Sequence, residues 1–302
     1  MPSVGSQIVV SHVLPIGTAA MVFRWMTGTP YVVIVHGMDV GLAKTRWMKR
    51  IVAGMVLRGA KVVVANSKAL EREVREEFGV RRTIVVYPTV EARQPPLTPP
   101  PYEERKRVRG PGAGMLGAIG PVNLLTVARL VSRKGHVRVL DAMALLRRQW
   151  PAIDIRYDIV GDGPYLETIA RRISELGLDD RVTIARDVAD DQLSDHYAAA
   201  DIFVEPVVAD SVDREGFGMV YLEAALHGVP SVATDMRGVD EAVLDGITGI
   251  LVKDGDIAAL ADAVYLLAMS DAERQRLGEA AYRRAADEFT NERQLEKLKE
   301  YL

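Results

Sequence analysis

Short apolar runs rich in Val, Ile and Tyr alternate with longer amphipathic stretches along almost the whole chain. VNLLTVA (122–128) and IDIRYDIVG (153–161) are two such runs, and a stretch with helical periodicity follows each of them. Strands that alternate with helices form a parallel sheet, because two neighbouring parallel strands need a crossover connection. The chain is therefore predicted to be an α/β protein with its ligands beyond the carboxyl ends of the strands.

The alternation divides into two groups of predicted strands, four before residue 94 and six after residue 120. The helices predicted between the first four strands cover approximately 15–28, 43–58 and 67–78. The first four strands are SQIVVSHV, TPYVVIVHG, AKVVVANS and RTIVVYP, and the last six are VNLLTVA, IDIRYDIVG, RVTIA, DIFVEP, VPSVATD and TGILV.

A segment rich in proline and glycine separates the two groups. QPPLTPPPY is followed by the charged run EERKRVR and by GPGAGMLGAIG. Proline fixes φ and removes a backbone donor, so this segment is predicted to be a linker rather than a helix or a central strand. A length of 302 residues also fits two domains. The predicted organisation is a first α/β domain (1–93), a linker (94–120), a second α/β domain (121–290) and a terminal helix (291–302) that packs back toward the first domain.

Composition excludes several classes of function. The chain has no cysteine, which excludes disulfides, thiolate nucleophiles and cysteine-ligated zinc. No apolar run approaches the roughly 18 residues of a membrane span, and the first residues do not resemble a signal peptide, so we expect a cytoplasmic protein. An aromatic content of 6% and an acidic second half argue against a nucleic-acid partner.

The two halves carry opposite net charges, +9 for residues 1–110 and −12 for residues 111–302. Within the basic half, residues 44–58 predict an amphipathic helix whose apolar stripe is flanked by Lys and Arg. One interpretation is a helix that lies on an anionic membrane surface. The other is a helix that faces the core of its domain and has a solvated basic rim.

Two carboxylates and two glycines form the motif EGFGMVYLE. Glu215 is predicted to lie in the loop after a strand, and Glu223 to lie one to two turns into the following helix. The glycines allow close backbone approach, and the first N–H groups of the helix point outward. Such a set can hold sugar hydroxyls together with a phosphate. The alternative is a surface Glu and a helix-face Glu with no ligand.

Two further loops follow strands of the second half. ARLVSRKG contains Arg129 and Lys134, which can clamp a diphosphate or can belong to a solvated basic loop. VGDGP contains Gly161 and Gly163, but it lacks a complete dinucleotide fingerprint and also fits a tight strand-to-helix turn. The only D-x-D, in KDGD, is predicted to be a turn and helix cap rather than a metal site.

Taken together, these motifs resemble the retaining glycosyltransferases of family 4. VARLVSRKG, IVGDGPYL, YAAADIFVEP, EGFGMVYLEA, GVPSVATD and DGITGILV follow one another in that order. VHGMD and VVANS in the first half resemble the acceptor domain of the same family. The resemblance implies the GT-B fold, in which two Rossmann-like domains face a cleft, and it makes residues 121–290 the nucleotide-sugar-binding domain.

The resemblance also implies roles for individual residues. Arg129 and Lys134 match the diphosphate-binding pair, Glu215 matches the carboxylate on the donor sugar, and Glu223 matches the carboxylate on the ribose. His36 matches an active-site histidine near the transferred sugar, although a structural histidine at a strand end is the alternative. The implied catalytic residues are His36 and Glu215, and the implied donor-binding residues are Arg129, Lys134, Gly161, Gly163, Glu215, Gly216, Phe217, Gly218, Met219, Val220 and Glu223.

The implied reaction transfers a sugar from a nucleotide-diphosphate sugar to an acceptor hydroxyl with retention of configuration. Basic side chains and helix N-termini can stabilise the charge of a leaving diphosphate, so we expect neither a metal nor any other cofactor. The acceptor is expected to be a glycan or a lipid-linked molecule, and the basic helix at 44–58 adds the expectation of a peripheral membrane protein.

One departure from the family concerns the first domain. The family begins with a strand, a Gly-rich loop and further units that precede the strand SQIVVSHV, so the first domain is expected to be truncated and to expose a sheet edge. A second chain or self-association would then complete it. Two alternatives to the enzyme follow: a non-catalytic or partner-dependent subunit of a split glycosyltransferase, and a nucleotide-sugar epimerase.

Overall fold

The computed structural model describes residues 6–90, 121–209 and 216–301, which form two α/β units, each built on a parallel sheet. The α/β class predicted from the sequence is confirmed. The predicted linker at 94–120 lies outside the described residues, and the domain boundaries stay a prediction.

The first unit is a four-stranded parallel sheet in the order β1-β2-β3-β4. Its buried strands are continuous runs of Val, Ile and Tyr, as is usual where helices cover both faces of a sheet. The strands are β1 (Ile8–Val10), β2 (Tyr31–Val35), β3 (Val62–Ala65) and β4 (Thr83–Val85), and the helices are α1 (Ile16–Thr27), α2 (Gly37–Lys44), α3 (Trp47–Gly59) and α4 (Lys68–Phe78).

The second unit is a six-stranded parallel sheet in the order β10-β9-β8-β5-β6-β7. The strand order reverses between β5 and β8, which makes this edge the expected ligand position of an open α/β sheet. The strands are β5 (Val122–Val127), β6 (Ile155–Val160), β7 (Val182–Ala185), β8 (Ile202–Glu205), β9 (Ser231–Thr234) and β10 (Gly249–Val252). The helices are α5 (His136–Gln149), α6 (Leu166–Leu176), α7 (Leu193–Ala199), α8 (Met219–Leu226), α9 (Val239–Ala242), α10 (Ile257–Met269), α11 (Asp271–Glu288) and α12 (Asn291–Glu296).

The helix predicted at 43–58 is found as α3, which begins only at Trp47, and a separate helix that was not predicted, α2, ends at Lys44. The chain leaves helical geometry at Arg46, whose φ of −137° and ψ of 136° are extended. The Thr45 hydroxyl donates to the Leu42 carbonyl at 2.8 Å and so satisfies one of the last carbonyls of α2. The amphipathic segment proposed as membrane-binding at 44–58 is therefore one continuous helix only from Trp47 onward, and Lys44 belongs to α2.

Direct contacts join the two units. The Glu241 carboxylate accepts hydrogen bonds from the backbone N–H groups of Lys68 and Ala69, each at 2.7 Å, at the start of α4. The chain after α12 returns to the first sheet, where Lys61 Nζ donates to the Tyr301 carbonyl at 2.7 Å. Leu298 and Tyr301 also pack against the apolar residues of β2 and β3.

Candidate functional site

The loops after β5 and β6 lie against each other at the carboxyl edge of the second sheet. Gly161 has a φ of +146°, and a Cβ placed on it would stand 2.0 Å from the carbonyl oxygen of Ala128. Gly163 has a φ of +156°, and its Cβ would stand 2.4 Å from the carbonyl oxygen of Leu130. Both glycines are therefore required for this loop-to-loop packing. Their predicted role in donor binding stays a prediction.

The two predicted phosphate-binding side chains lie in different surroundings. Arg129 is exposed in the loop after β5. Lys134 ends a single 3₁₀ turn, and its side chain is only 11% exposed. Its ammonium nitrogen lies 2.6 Å from Glu205 Oε1 at the end of β8. The structure thus places Lys134 at the strand-order reversal, paired with a carboxylate that the motif analysis did not single out.

A buried histidine opens the helix that follows this turn. His136 is the first residue of α5 and has no accessible surface. Burial and the nearby Lys134 charge lower the pKa of His136 to about 4, so the imidazole is neutral at pH 7. Neither ring nitrogen has a hydrogen-bond partner among the described residues. The positive charge that faces Glu205 thus belongs to Lys134 and not to His136.

The glycine-rich motif after β8 is described from Gly216 onward, and Glu215 lies outside the described residues. A Cβ on Gly216 would stand 3.0 Å from Nδ2 of Asn66, so this loop meets the end of β3 in the first unit. Gly218 has a φ of +86° and precedes the first residue of α8. Phe217 is buried, with its ring centroid 5.2 Å from that of Tyr87 and 5.4 Å from that of Phe289.

Phe217 is thus a core side chain, packed against Tyr87 and Phe289. Met219 is 45% exposed at the start of α8, and Val220 is half-buried beside it. The donor-binding roles of Gly216, Phe217, Gly218, Met219 and Val220 stay predictions.

The side chain of Tyr197 holds the second carboxylate of the motif, and His227 contacts the backbone of the same residue. The Tyr197 hydroxyl in α7 donates to Glu223 Oε2 at 2.6 Å. His227 Nδ1 lies 2.8 Å from the Glu223 carbonyl oxygen, and the His227 ring stacks on Tyr197 with a centroid distance of 5.3 Å. Burial and the Glu223 charge raise the pKa of Tyr197, which keeps its hydroxyl a donor. Glu223 is therefore oriented before any ligand arrives.

The first unit contributes two polar side chains at strand ends. His36 directly follows β2 and is exposed, and its backbone N–H lies 3.4 Å from Asp39 Oδ2 at the start of α2. Its ring centroid is 6.3 Å from that of His12 after β1. Asn66 Oδ1 is buried and has no hydrogen-bond partner in the described part of the chain. The catalytic role of His36 stays a prediction.

The motif KDGD contains a helix cap, as predicted. Asp256 Oδ1 accepts from the backbone N–H of Ala259 at 2.8 Å at the start of α10. Asp254 pairs instead with Arg138 of α5.

Sequence analysis missed three residues of this region, namely Glu205, Tyr197 and Asn66. One signal was available for Glu205, since DIFVEP is otherwise an apolar strand that the parallel-sheet prediction makes buried. Tyr197 and Asn66 carry no such signal, because their importance depends on which elements lie beside them.

Two families of known proteins match the chain. Residues 120–284 match the family described as "Glycosyl transferases group 1", and residues 5–89 match the "Glycosyl transferase 4-like domain". The first match covers more than half of the chain.

Three similar curated proteins have the names of sugar transferases. A "GDP-mannose-dependent alpha-(1-6)-phosphatidylinositol monomannoside mannosyltransferase" of Mycolicibacterium smegmatis is 43% identical over 47% of this chain and 37% of its own length. The protein of the same name in Mycobacterium tuberculosis is 34% identical over 76% of this chain and 58% of its own length. A "D-inositol 3-phosphate glycosyltransferase" of Pseudarthrobacter chlorophenolicus is 29% identical over 92% of this chain and 66% of its own length. The matched part of the chain thus spans between 37% and 66% of these relatives.

Two solved structures share the architecture. Sucrose-phosphate synthase from Thermosynechococcus elongatus superposes with a TM-score of 0.79 at 23% identity, over 98% of this chain and 72% of that chain. Anabaena Alr3699/HepE in complex with UDP superposes with a TM-score of 0.80 at 22% identity, over 98% of this chain and 78% of that chain. At these identities the likeness shows the fold alone.

Proposed function

Because this chain belongs to the glycosyl transferases group 1 family and has the GT-B fold, we propose that it transfers a sugar from a nucleotide-diphosphate sugar to an acceptor hydroxyl. The observation that carries the proposal is the meeting of three predicted donor motifs at one sheet edge. Lys134 lies against the end of β8, the Gly161–Gly163 turn lies against the loop after β5, and Gly218 precedes α8.

The chemistry of this edge suits a leaving diphosphate. Arg129 and Lys134 supply positive charge, and the start of α8 supplies backbone donors and the positive end of a helix dipole. Such groups stabilise charge that develops on the leaving group. We therefore propose transfer without a metal or other cofactor, and the resemblance to the retaining glycosyltransferases of family 4 supports the further proposal that configuration is retained.

The names of the relatives guide the choice of donor and acceptor. Relatives with 34% and 43% identity are named as GDP-mannose-dependent enzymes acting on a phosphatidylinositol mannoside. We propose GDP-mannose as the donor and a lipid-linked polyol or glycoside as the acceptor.

Thermal unfolding with GDP, UDP and ADP tests the donor site. A ligand at 100 times its dissociation constant stabilises the folded state by about 2.7 kcal/mol, which raises the melting temperature by a few degrees. We expect this shift with GDP and none with equal concentrations of UDP or ADP. A higher melting temperature with UDP alone would show that the base is not guanine. An unchanged melting temperature with all three nucleotides would contradict the proposed donor site.

A surface of the first unit supports a peripheral membrane location, which we propose for the enzyme. Trp47, Met48 and Ile51 of α3 are 72%, 58% and 51% exposed. The neighbouring α1 exposes Trp25 (93%) and Met26 (80%). Exposed apolar patches that are rimmed by cations fit an anionic lipid surface, since the apolar side chains enter the boundary region while the cations contact headgroups. None of the helices in residues 6–90, 121–209 and 216–301 could span a lipid bilayer.

Binding to vesicles that contain phosphatidylglycerol tests the membrane proposal. The double variant Arg46→Glu and Lys49→Glu is expected to bind at least about thirtyfold more weakly, because each cation near the surface contributes about 1 kcal/mol. Arg148→Glu with Arg283→Glu makes the same charge change on the second unit and should leave binding unchanged. Equal losses in both variants would show attraction by net charge alone, and binding that does not depend on salt would contradict the proposal.

A further inference from the structure

A buried carboxylate with no assigned role lies at the end of β8. Glu205 has no accessible surface, and the three residues before it in the strand are Ile, Phe and Val. Its Oε1 lies 2.6 Å from Nζ of Lys134, whose side chain is itself 11% exposed. Burying a charge is costly unless a partner compensates it, and removing one member of a buried pair is more costly than keeping both. Because burial of this charge is costly, we expect the Glu205 carboxylate to have a specific role.

Backbone contacts fix the turn that carries Lys134 against the end of β8. The Val208 N–H donates to the Arg133 carbonyl at 2.7 Å. A Cβ on Gly135 would stand 2.1 Å from the Pro206 carbonyl oxygen, so the two backbones are in direct contact. On the other side of the strand end, the Tyr221 hydroxyl donates to the Glu205 carbonyl at 2.8 Å. The pair thus differs from a surface ion pair, whose side chains are free to separate.

The position of the pair coincides with the reversal of strand order. β5 and β8 are neighbours there, and Lys134 belongs to the turn after β5 while Glu205 ends β8. An ammonium group has three N–H donors, so it can contact carboxylate and phosphate oxygens at the same time. In protein kinases, a lysine must be paired with a glutamate before it holds nucleotide phosphates productively.

We propose that Glu205 is a positioning residue that holds the Lys134 ammonium at the diphosphate-binding edge of the second sheet. A lysine has four rotatable side-chain bonds, and fixing them before the donor arrives removes an ordering cost from binding. Glu205 itself does not contact the donor. This inference rests on the proposed function, because it assigns Lys134 to the diphosphate of a nucleotide sugar.

The variant Glu205→Gln separates positioning from structure. It keeps the volume of the side chain and removes its charge. We expect the dissociation constant for GDP to rise about tenfold, because the charge-assisted contact from Lys134 to the diphosphate is no longer held in place. The dissociation constant for guanosine, which has no phosphate, should stay within twofold of that of the parent protein. Isothermal titration of both ligands measures the difference.

A double-mutant cycle with Lys134→Met shows whether Glu205 acts through Lys134. In the Lys134→Met background, Glu205→Gln should not weaken GDP binding any further, because the group that Glu205 positions is gone. Asp141→Asn is the matched control, since Asp141 forms a 2.6 Å ion pair with Arg172 elsewhere in the same unit. This control should leave both ligands unaffected.

Each outcome decides the proposal. Equal losses of GDP and guanosine affinity in Glu205→Gln would show a purely structural residue, and unchanged or tighter GDP binding would show that Glu205 does not support Lys134. Either result overturns the inference while the proposed function stands. If the parent protein bound none of the three diphosphates, the proposed function would fail first. If Glu205→Gln does not fold, Glu205→Asp keeps the charge but shortens the side chain, and it should raise the GDP dissociation constant without affecting guanosine.

Discussion

Replacing Glu215 by Gln is expected to lower the rate of sugar transfer by at least about a hundredfold while GDP binding stays unchanged. The resemblance to family 4 assigns this carboxylate to the hydroxyls of the donor sugar, which GDP lacks. A neutral amide accepts these hydrogen bonds more weakly, and losing one preorganised electrostatic contact to a reacting group costs about 10²–10³ in rate. Transfer of radiolabelled mannose from GDP-mannose to a lipid extract, together with titration of GDP, measures both quantities.

The matched variant Glu223→Gln should show the opposite behaviour. Glu223 is assigned to the ribose, which GDP and GDP-mannose share, so its loss should weaken both ligands by about tenfold, as expected for hydrogen bonds to a charged group. Tyr197 already donates to one oxygen of this carboxylate and fixes its orientation. The assignment of EGFGMVYLE to the donor is wrong if both variants behave alike, or if neither variant changes the transfer rate or GDP binding.

The predicted strands are recovered because their signals are local. Each strand is a short run of β-branched residues that ends at a turn signal, and the strands of the structure lie within the predicted runs. The start of the helix predicted at 43–58 and the separate helix α2 before it were missed for a related reason. The break at Thr45 and Arg46 contains neither glycine nor proline, so it has no turn signal. α2 begins after His36, which is not one of the usual helix-capping residues, although its N–H lies 3.4 Å from Asp39 Oδ2.

The same difference between local and long-range information separates the site residues that the sequence predicts from those that it misses. Motif spacing predicts that Lys134 and Glu223 lie beyond strand ends, since that depends only on the order of elements. The partners of these residues depend on which strands become neighbours. Glu205 reaches Lys134 because β8 pairs with β5, although 70 residues separate them in the sequence. The approach of Asn66 to Gly216 depends further on how the two units face each other.

Replacing Gly161 by Ala is expected to lower the free energy of unfolding by about 3–5 kcal/mol. The new Cβ would stand 2.0 Å from the Ala128 carbonyl oxygen, and this backbone atom cannot move aside as a flexible side chain can. The φ of +146° adds backbone strain for any residue with a Cβ. Each effect alone costs about 1–3 kcal/mol. Urea-induced unfolding followed by tryptophan fluorescence measures the change.

Gly255→Ala separates the two causes. Gly255 also has a positive φ, +80°, but nothing lies within 4 Å of the Cβ position. The substitution then adds only backbone strain, so we expect the free energy of unfolding to fall by about 1–2 kcal/mol. A similar loss in both variants would show that strain alone explains Gly161. A larger loss in Gly161→Ala would show that the glycine is required so that the turn after β6 can rest on the loop that carries Arg129.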